Sequence, residues 1–324
     1  MSNITSSNST DDWDISPEIS LPRSIRFWLI LLFDVPSLLC SFCLLFHILN
    51  DRTQRHALYT HTILVLLIAN LPIQLLDAGL YLSVLHNGVV QPSEPIVCLF
   101  WMFADNGFYA LGINLLTWLA IERHILIFHD RWVANRRGRF LFHYFPLFFI
   151  ITYIFLFYII GIFILPCDNV YNYSALYCGV YPCLEWNDFL NTWETVVHYC
   201  VPVILESIVS TGLLVRVQWQ KRRLRQSIQW RKQRRMIIQL LLISGINIPL
   251  NLPLYIIYIA QYCGLHWDIS LQPKLWFYFL SYSVILFFPF ASLCQFPALR
   301  KQMRKKFCCI IDRSPCHPPI NPQQ

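Results

Sequence analysis

Seven times along this 324-residue chain the polar residues thin out over a stretch long enough to form a membrane-spanning helix. The runs are Arg26–Leu49, Thr60–Leu85, Ile96–Phe128, Phe140–Leu165, Thr192–Gln218, Met236–Tyr262 and Leu275–Phe296. Each reaches the roughly 20 residues that carry a helix across a bilayer. The runs are too long, and alternate too little, for the strands of an outer-membrane barrel. The pattern predicts an all-α integral membrane protein, a seven-transmembrane helix bundle. Composition agrees: 56% of residues are hydrophobic and only 13% charged, against about a quarter charged in soluble domains.

The net charge of +7 changes the picture only through its placement. Basic residues crowd the fifth connection (Arg216, Lys221–Arg225, Arg231–Arg235), the tail (Arg300–Lys306, Arg313), the third connection (Arg131, Arg136, Arg137, Arg139) and the first (Arg52, Arg55). The other side carries Asp11, Asp12, Asp14, Glu18, Glu94, Asp168, Glu185, Asp188 and Asp268 against Arg23, Arg26 and Lys274. The positive-inside rule then predicts the N-terminus outside and the C-terminus in the cytosol. Such a distribution serves topology and lipid contact, so no nucleic-acid partner is expected. The predicted organisation is a tail over 1–25, the bundle over 26–296 and a cytoplasmic segment over 297–324. In that last segment Phe296, Met303 and Phe307 fit a short amphipathic helix lying on the inner leaflet.

Three sequons, at Asn3, Asn8 and Asn172, fall on the predicted outer side, as glycosylation requires. Cys98, Cys167, Cys178 and Cys183 lie there too, where disulfides persist. Cys98 linked to Cys178 or to Cys183 would hold the second outer loop over the third span, with either Cys167 taking the leftover thiol or some of these thiols staying free. Cys308 and Cys309 follow a basic run on the inner side and read as palmitoylation candidates.

Cys98 and Arg123 bracket the third run, about 37 Å apart as a helix. Together with Glu122-Arg123-His124, Pro202 in the fifth span and the basic loop before the sixth, this layout resembles the rhodopsin-like (class A) G-protein-coupled receptors over about Phe27 to Cys309. The segments Glu122–His129 and Gln229–Lys232 resemble most the divergent receptors that rotifers carry in lineage-expanded sets. The resemblance implies a plasma-membrane receptor. Its Arg123 would be held by Glu122 at rest and released to a heterotrimeric G protein when the sixth helix swings outward, with Pro202, Pro253 and Pro289 as hinges. The chain departs from the family in the second helix (Asn70 for the usual aspartate), the sixth (Ile248–Pro253, without the tryptophan) and the seventh (Phe288–Ser292, without the asparagine and tyrosine). A sodium site and the aromatic toggle are not expected.

Ionisable groups inside spans are costly and face the bundle interior. Asp77, Asp105, Asn106 and Glu206 are therefore the candidate pocket residues, with Asp34, Glu194 and His198 also in spans and Asn114 expected to join Asn70. Glu206, four residues after Pro202, either lines the pocket or bonds the carbonyls that this proline loosens. Asp105 lies seven residues after Cys98, about 10 Å into the helix. Amine receptors of the family bind their cation through an aspartate at that spacing. The second outer loop, rich in tyrosine and acid (Asp168, Tyr171, Tyr173, Tyr177, Tyr181, Glu185, Asp188), suits a basic peptide or another soluble ligand. Tyr282 occupies the position where a retinal protein of this family has its lysine, which excludes an opsin. No nucleophile elbow, metal-ligand spacing or phosphate loop marks an enzyme, and no cofactor or metal is expected. The competing readings are a seven-span transporter or channel, for which no internal repeat is present, and a receptor-like scaffold that no longer signals.

Overall fold

The computed structural model describes residues 19–165, 171–174, 178, 187–223, 229–297 and 299–301. Among them the chain is helical, without a strand. Seven helices are long and apolar enough to cross a membrane: α1 Arg23–Asn50, α2 Leu58–Asn87, α3 Pro95–Phe128, α4 Arg136–Ile164, α5 Asp188–Trp219, α6 Met236–Tyr262 and α7 Asp268–Leu293. The protein is a multi-pass membrane protein. Its surface suits the solvent it is built for: Phe46, Phe148, Trp28 and Leu32 point outward, while Ser37, Ser41, Gln74, Asn247 and Asn251 are buried within. In lipid the apolar side chains lose nothing by facing outward, and the polar ones need partners inside.

The helices close into a ring, α2 on α1 and α3, α5 on α3 and α6, α6 along α7, and α7 back on α1, with α4 against the outside of α3. Polar side chains join them. Gln74 of α2 donates to Ser37 (2.6 Å) and accepts from Ser41 (3.3 Å), both on α1. At Pro202 the backbone lacks an amide hydrogen. Asn114 of α3 donates to the carbonyl of His198 four residues earlier (3.0 Å), and the Thr117 hydroxyl donates to the Pro202 carbonyl (2.9 Å). Asn114 thus serves the α3–α5 contact and its own helix, at the Ala110 carbonyl, rather than the expected network with Asn70.

Four of the seven helices contain a widened π turn: Ile73–Asp77 in α2, Phe103–Phe108 in α3, Phe140–Tyr144 and Ile160–Ile164 in α4, and Glu194–Cys200 in α5. Such turns insert a residue into the helical ladder and re-aim the side chains that follow, and they gather at functional sites. Here they carry Asp77, Asp105, Asn106, His143, Glu194 and His198. Asn3, Asn8, Cys167, Cys183, Cys308, Cys309, Arg225 and most of the anticipated amphipathic helix lie outside the described residues.

Candidate functional site

At the end of the bundle where α1 begins, Cys98 of α3 is joined to Cys178. The choice between Cys178 and Cys183 is thereby decided. Cys178 adopts φ 57°, a left-handed conformation that a residue with a Cβ occupies only when its surroundings hold it there. The loop is also tied by its backbone: Val90 N–H donates to the Tyr173 carbonyl (2.9 Å), and Asn172 N–H to the Cys178 carbonyl (2.7 Å). The Asn172 side-chain oxygen accepts from Ser174 N–H, an exposed contact.

Below this loop α3, α5, α6 and α7 part around a cavity of about 510 Å³, within the size range of ligand sites. Its walls bring together two carboxyl groups, Asp105 and Glu194, and six tyrosines, Tyr109, Tyr199, Tyr255, Tyr258, Tyr262 and Tyr278. The Tyr278 hydroxyl donates to Asp105 (2.7 Å), and the Tyr158 hydroxyl to Glu194 (2.6 Å). Tyr199 and Tyr255 stack at 5.2 Å. At the cavity wall the Lys274 ammonium lies 4.1 Å above the Tyr258 ring, so one aromatic face already receives a cation in the manner that ring quadrupoles favour.

The anticipated pocket residues divide into three groups. Asp105 and Asn106 line the cavity. Asp77 lies one layer deeper, on a small void that also touches Asp105, Tyr109 and Tyr278. Its Oδ1 accepts from Trp101 Nε1 (2.8 Å) and from Tyr282 (3.0 Å). Glu206 does not reach the cavity. It neither lines the pocket nor bonds the carbonyls loosened by Pro202; it accepts from Ser244 (2.8 Å) and Asn247 of α6. Asn251 donates in turn to Asn247, and Tyr109 of α3 to Asn251 (2.7 Å). One wall of the cavity is thus connected through Tyr109 to a fully buried acid between α5 and α6. Glu194, anticipated as an interior-facing ionisable group, also lines the cavity, whereas the tyrosines of α5, α6 and α7 are pocket residues that sequence reading missed; the signal that could have found the tyrosines is their recurrence near the same end of three successive spans.

At the opposite end of α3 the expected pairing of Glu122 with Arg123 is not made. Adjacent residues on a helix point about 100° apart, so they do not face each other. Arg123 Nη2 donates to the Tyr59 carbonyl (2.6 Å), and its Nη1 is buried with no hydrogen-bond partner. Glu122 accepts from the Thr62 hydroxyl and lies 2.7 Å from His143 Nδ1. His124 meets Arg216 of α5 (3.1 Å), whose guanidinium covers the Phe128 ring. Thr62, His61 and His143 are the partners sequence reading missed.

No protein-family model matches this chain, and no curated protein matches it. Among the described residues no three His, Cys, Asp or Glu side chains converge as a metal site.

Proposed function

We propose that this chain is a rhodopsin-like G-protein-coupled receptor of the plasma membrane, with its N-terminus outside, which binds a soluble, positively charged ligand and signals through a heterotrimeric G protein. The observation that carries the reading is the span of α3. One end lines a ligand-sized cavity of acid and tyrosine, and the other presents a buried arginine hydrogen-bonded to the Tyr59 carbonyl rather than to a carboxylate. Between them Tyr109, Asn251, Asn247 and Glu206 link the cavity wall to α5 and α6. A ligand that repositions Tyr109 therefore acts on the packing of α6 against α5, the contact that an outward swing of α6 must break.

The lining supports a cationic group on the ligand, whether an amine or the basic side chain of a peptide. Two carboxyl groups and tyrosine faces both attract positive charge, and they do so more strongly away from water. The glycosylation of Asn172, the acylation of Cys308 and Cys309 and the amphipathic inner helix belong to the same reading.

G-protein dissociation in cells tests it, with the chain and its Arg123→Ala variant at matched surface levels, challenged with amines and basic peptides. The expected result is a response that Arg123→Ala abolishes and that Asp105→Asn weakens by roughly 30-fold or more, as loss of a desolvated charge partner does. A response unchanged in Arg123→Ala, or ion flux in place of G-protein release, would overturn the proposal in favour of a channel or transporter.

A further inference from the structure

Beneath the cavity, between α2, α3 and α7, lies the small void that Asp77 borders. Its volume is about 10 Å³, room for one water molecule or one ion stripped of its water. Six of the side chains around it carry oxygen: Asp77, Asp105, Tyr109, Tyr278, Ser281 and Tyr282. Among the described residues no lysine, arginine or histidine lines it.

The hydroxyl hydrogens around this void are all engaged elsewhere. A hydroxyl has a single hydrogen to donate. Tyr109 gives its hydrogen to Asn251 (2.7 Å), Tyr278 to Asp105 (2.7 Å) and Tyr282 to Asp77 Oδ1 (3.0 Å). Ser281 gives its own to the Tyr278 carbonyl (2.6 Å). What the four hydroxyls have left for the void is therefore lone pairs. Asp77 adds a carboxyl oxygen. Its Oδ1 takes the hydrogens of both Trp101 and Tyr282, so that Oδ2 accepts none among the described residues, in a side chain buried to within 1%.

A void walled by acceptors has no use for an anion. Water would satisfy some of the lone pairs and leave the Asp77 charge uncompensated inside the membrane, where that is costly. A bare cation meets both needs at once. The space and the ligands set its kind. Magnesium holds on to several waters, for which there is no room, and calcium draws its oxygens from carboxylates, carbonyls and water. Here most of the oxygens are hydroxyl, which leaves a small monovalent ion. The void beside Asn70, about 20 Å³, is lined apart from Asn70 and Tyr109 by apolar side chains and glycine, and it offers a cation no carboxyl oxygen.

We propose that Asp77, Asp105 and the hydroxyls of Tyr278, Ser281 and Tyr282 form a binding site for one sodium ion, with Asp77 Oδ2 as its charged ligand. The ion ties α2, through Asp77, to α3 and α7. Asp105, Tyr109 and Tyr278 border both the void and the cavity above it, so the ion forms part of the cavity floor.

Thermal unfolding of the whole chain in detergent tests the site, in sodium, potassium, calcium and choline chlorides at matched ionic strength. Sodium should raise Tm above its value in choline by about 2–4 °C once it exceeds its dissociation constant a few-fold. Asp77→Asn should abolish that difference: the amide oxygen still accepts from Trp101 and Tyr282, while the amide nitrogen takes the place of the charged ligand. Equal Tm in sodium and choline, or as large a rise in potassium or calcium, would overturn the proposal. A sodium effect that Asp77→Asn leaves intact means an adventitious ion only, and overturns it as well. Should Asp77→Asn fail to fold, Asp105→Asn carries the same comparison, with sodium NMR of the natural protein as the direct readout; line broadening no greater than that of detergent alone counts against the site. None of these measurements involves ligand or G protein, so the sodium site and the receptor proposal stand or fall separately.

Discussion

The hydrogen bonds between α5 and α6 run in one direction, and that direction can be tested. Tyr109 donates to Asn251, Asn251 to Asn247, and Asn247 to Glu206, while Ser244 donates to the other carboxyl oxygen. The four polar side chains of this series on α5 and α6 are buried, and Glu206 and both asparagines are fully so. Asn247→Leu deletes the amide in the middle. It removes one bond to an acid, worth about 1.5–3 kcal/mol, and leaves the Asn251 amide without its acceptor, about 1–3 kcal/mol more. Their sum, allowing for relaxation, is about 3–5 kcal/mol, or a fall in Tm of roughly 10 °C. Glu206→Gln should cost less than about 1 kcal/mol, because every contact can survive. The amide oxygen of that variant accepts from Asn247, its nitrogen donates to Ser244, and the Ser244 hydroxyl turns to Ser210, 3.0 Å away. Thermal unfolding of the detergent-solubilised protein measures both. If Glu206→Gln proves as damaging as Asn247→Leu, the oriented chain of donors is refuted and a fixed negative charge is what holds the two helices.

Three further outcomes follow from other parts of the molecule. Cys98→Ser opens a link that closes 80 residues of chain, which should cost about 4 kcal/mol; a loss of the same size from Cys183→Ser, with Cys98→Ser harmless, would refute the pairing. A Cβ on Gly138 falls 1.8 Å from the Trp132 carbonyl oxygen, so Gly138→Ala should destabilise by about 1–3 kcal/mol as the backbone gives way. Gly79, within α2, has nothing within 4 Å of that position, so Gly79→Ala should be neutral or stabilising by up to about 1 kcal/mol, and a reversed order in unfolding experiments would contradict the packing described. Tyr282→Phe removes one of two donors to the buried Asp77 carboxyl group and should lower stability by about 1–3 kcal/mol; no change in Tm would show that this hydroxyl does not serve Asp77.

The number and approximate limits of the helices are legible in the chain because a bilayer imposes a local rule. Any stretch too apolar for water and long enough to satisfy its own backbone must cross, whatever its neighbours do. The run from Met236 ends at Tyr262 in sequence and structure, although its helix already begins at Gln229, and the others differ by as many as seven residues at their ends. Asp105 as a lining residue follows from its distance along α3, another local quantity. The partners of the polar groups do not follow, because each depends on residues far away in the chain. Glu122 and Arg123 are neighbours in sequence, yet helical rotation separates them and hands Glu122 to Thr62 and His143. Glu206 is open between two roles in the sequence, and helix packing gives it a third, against Ser244 and Asn247. The widened turns at Asp77, Asp105, His143 and Glu194 have no residue signature that periodicity reads, and they decide which way those side chains point. Length and hydropathy determined that seven helices cross; only the packing of one helix against another decided which acid faces the cavity, which is sealed between helices, and which holds a histidine.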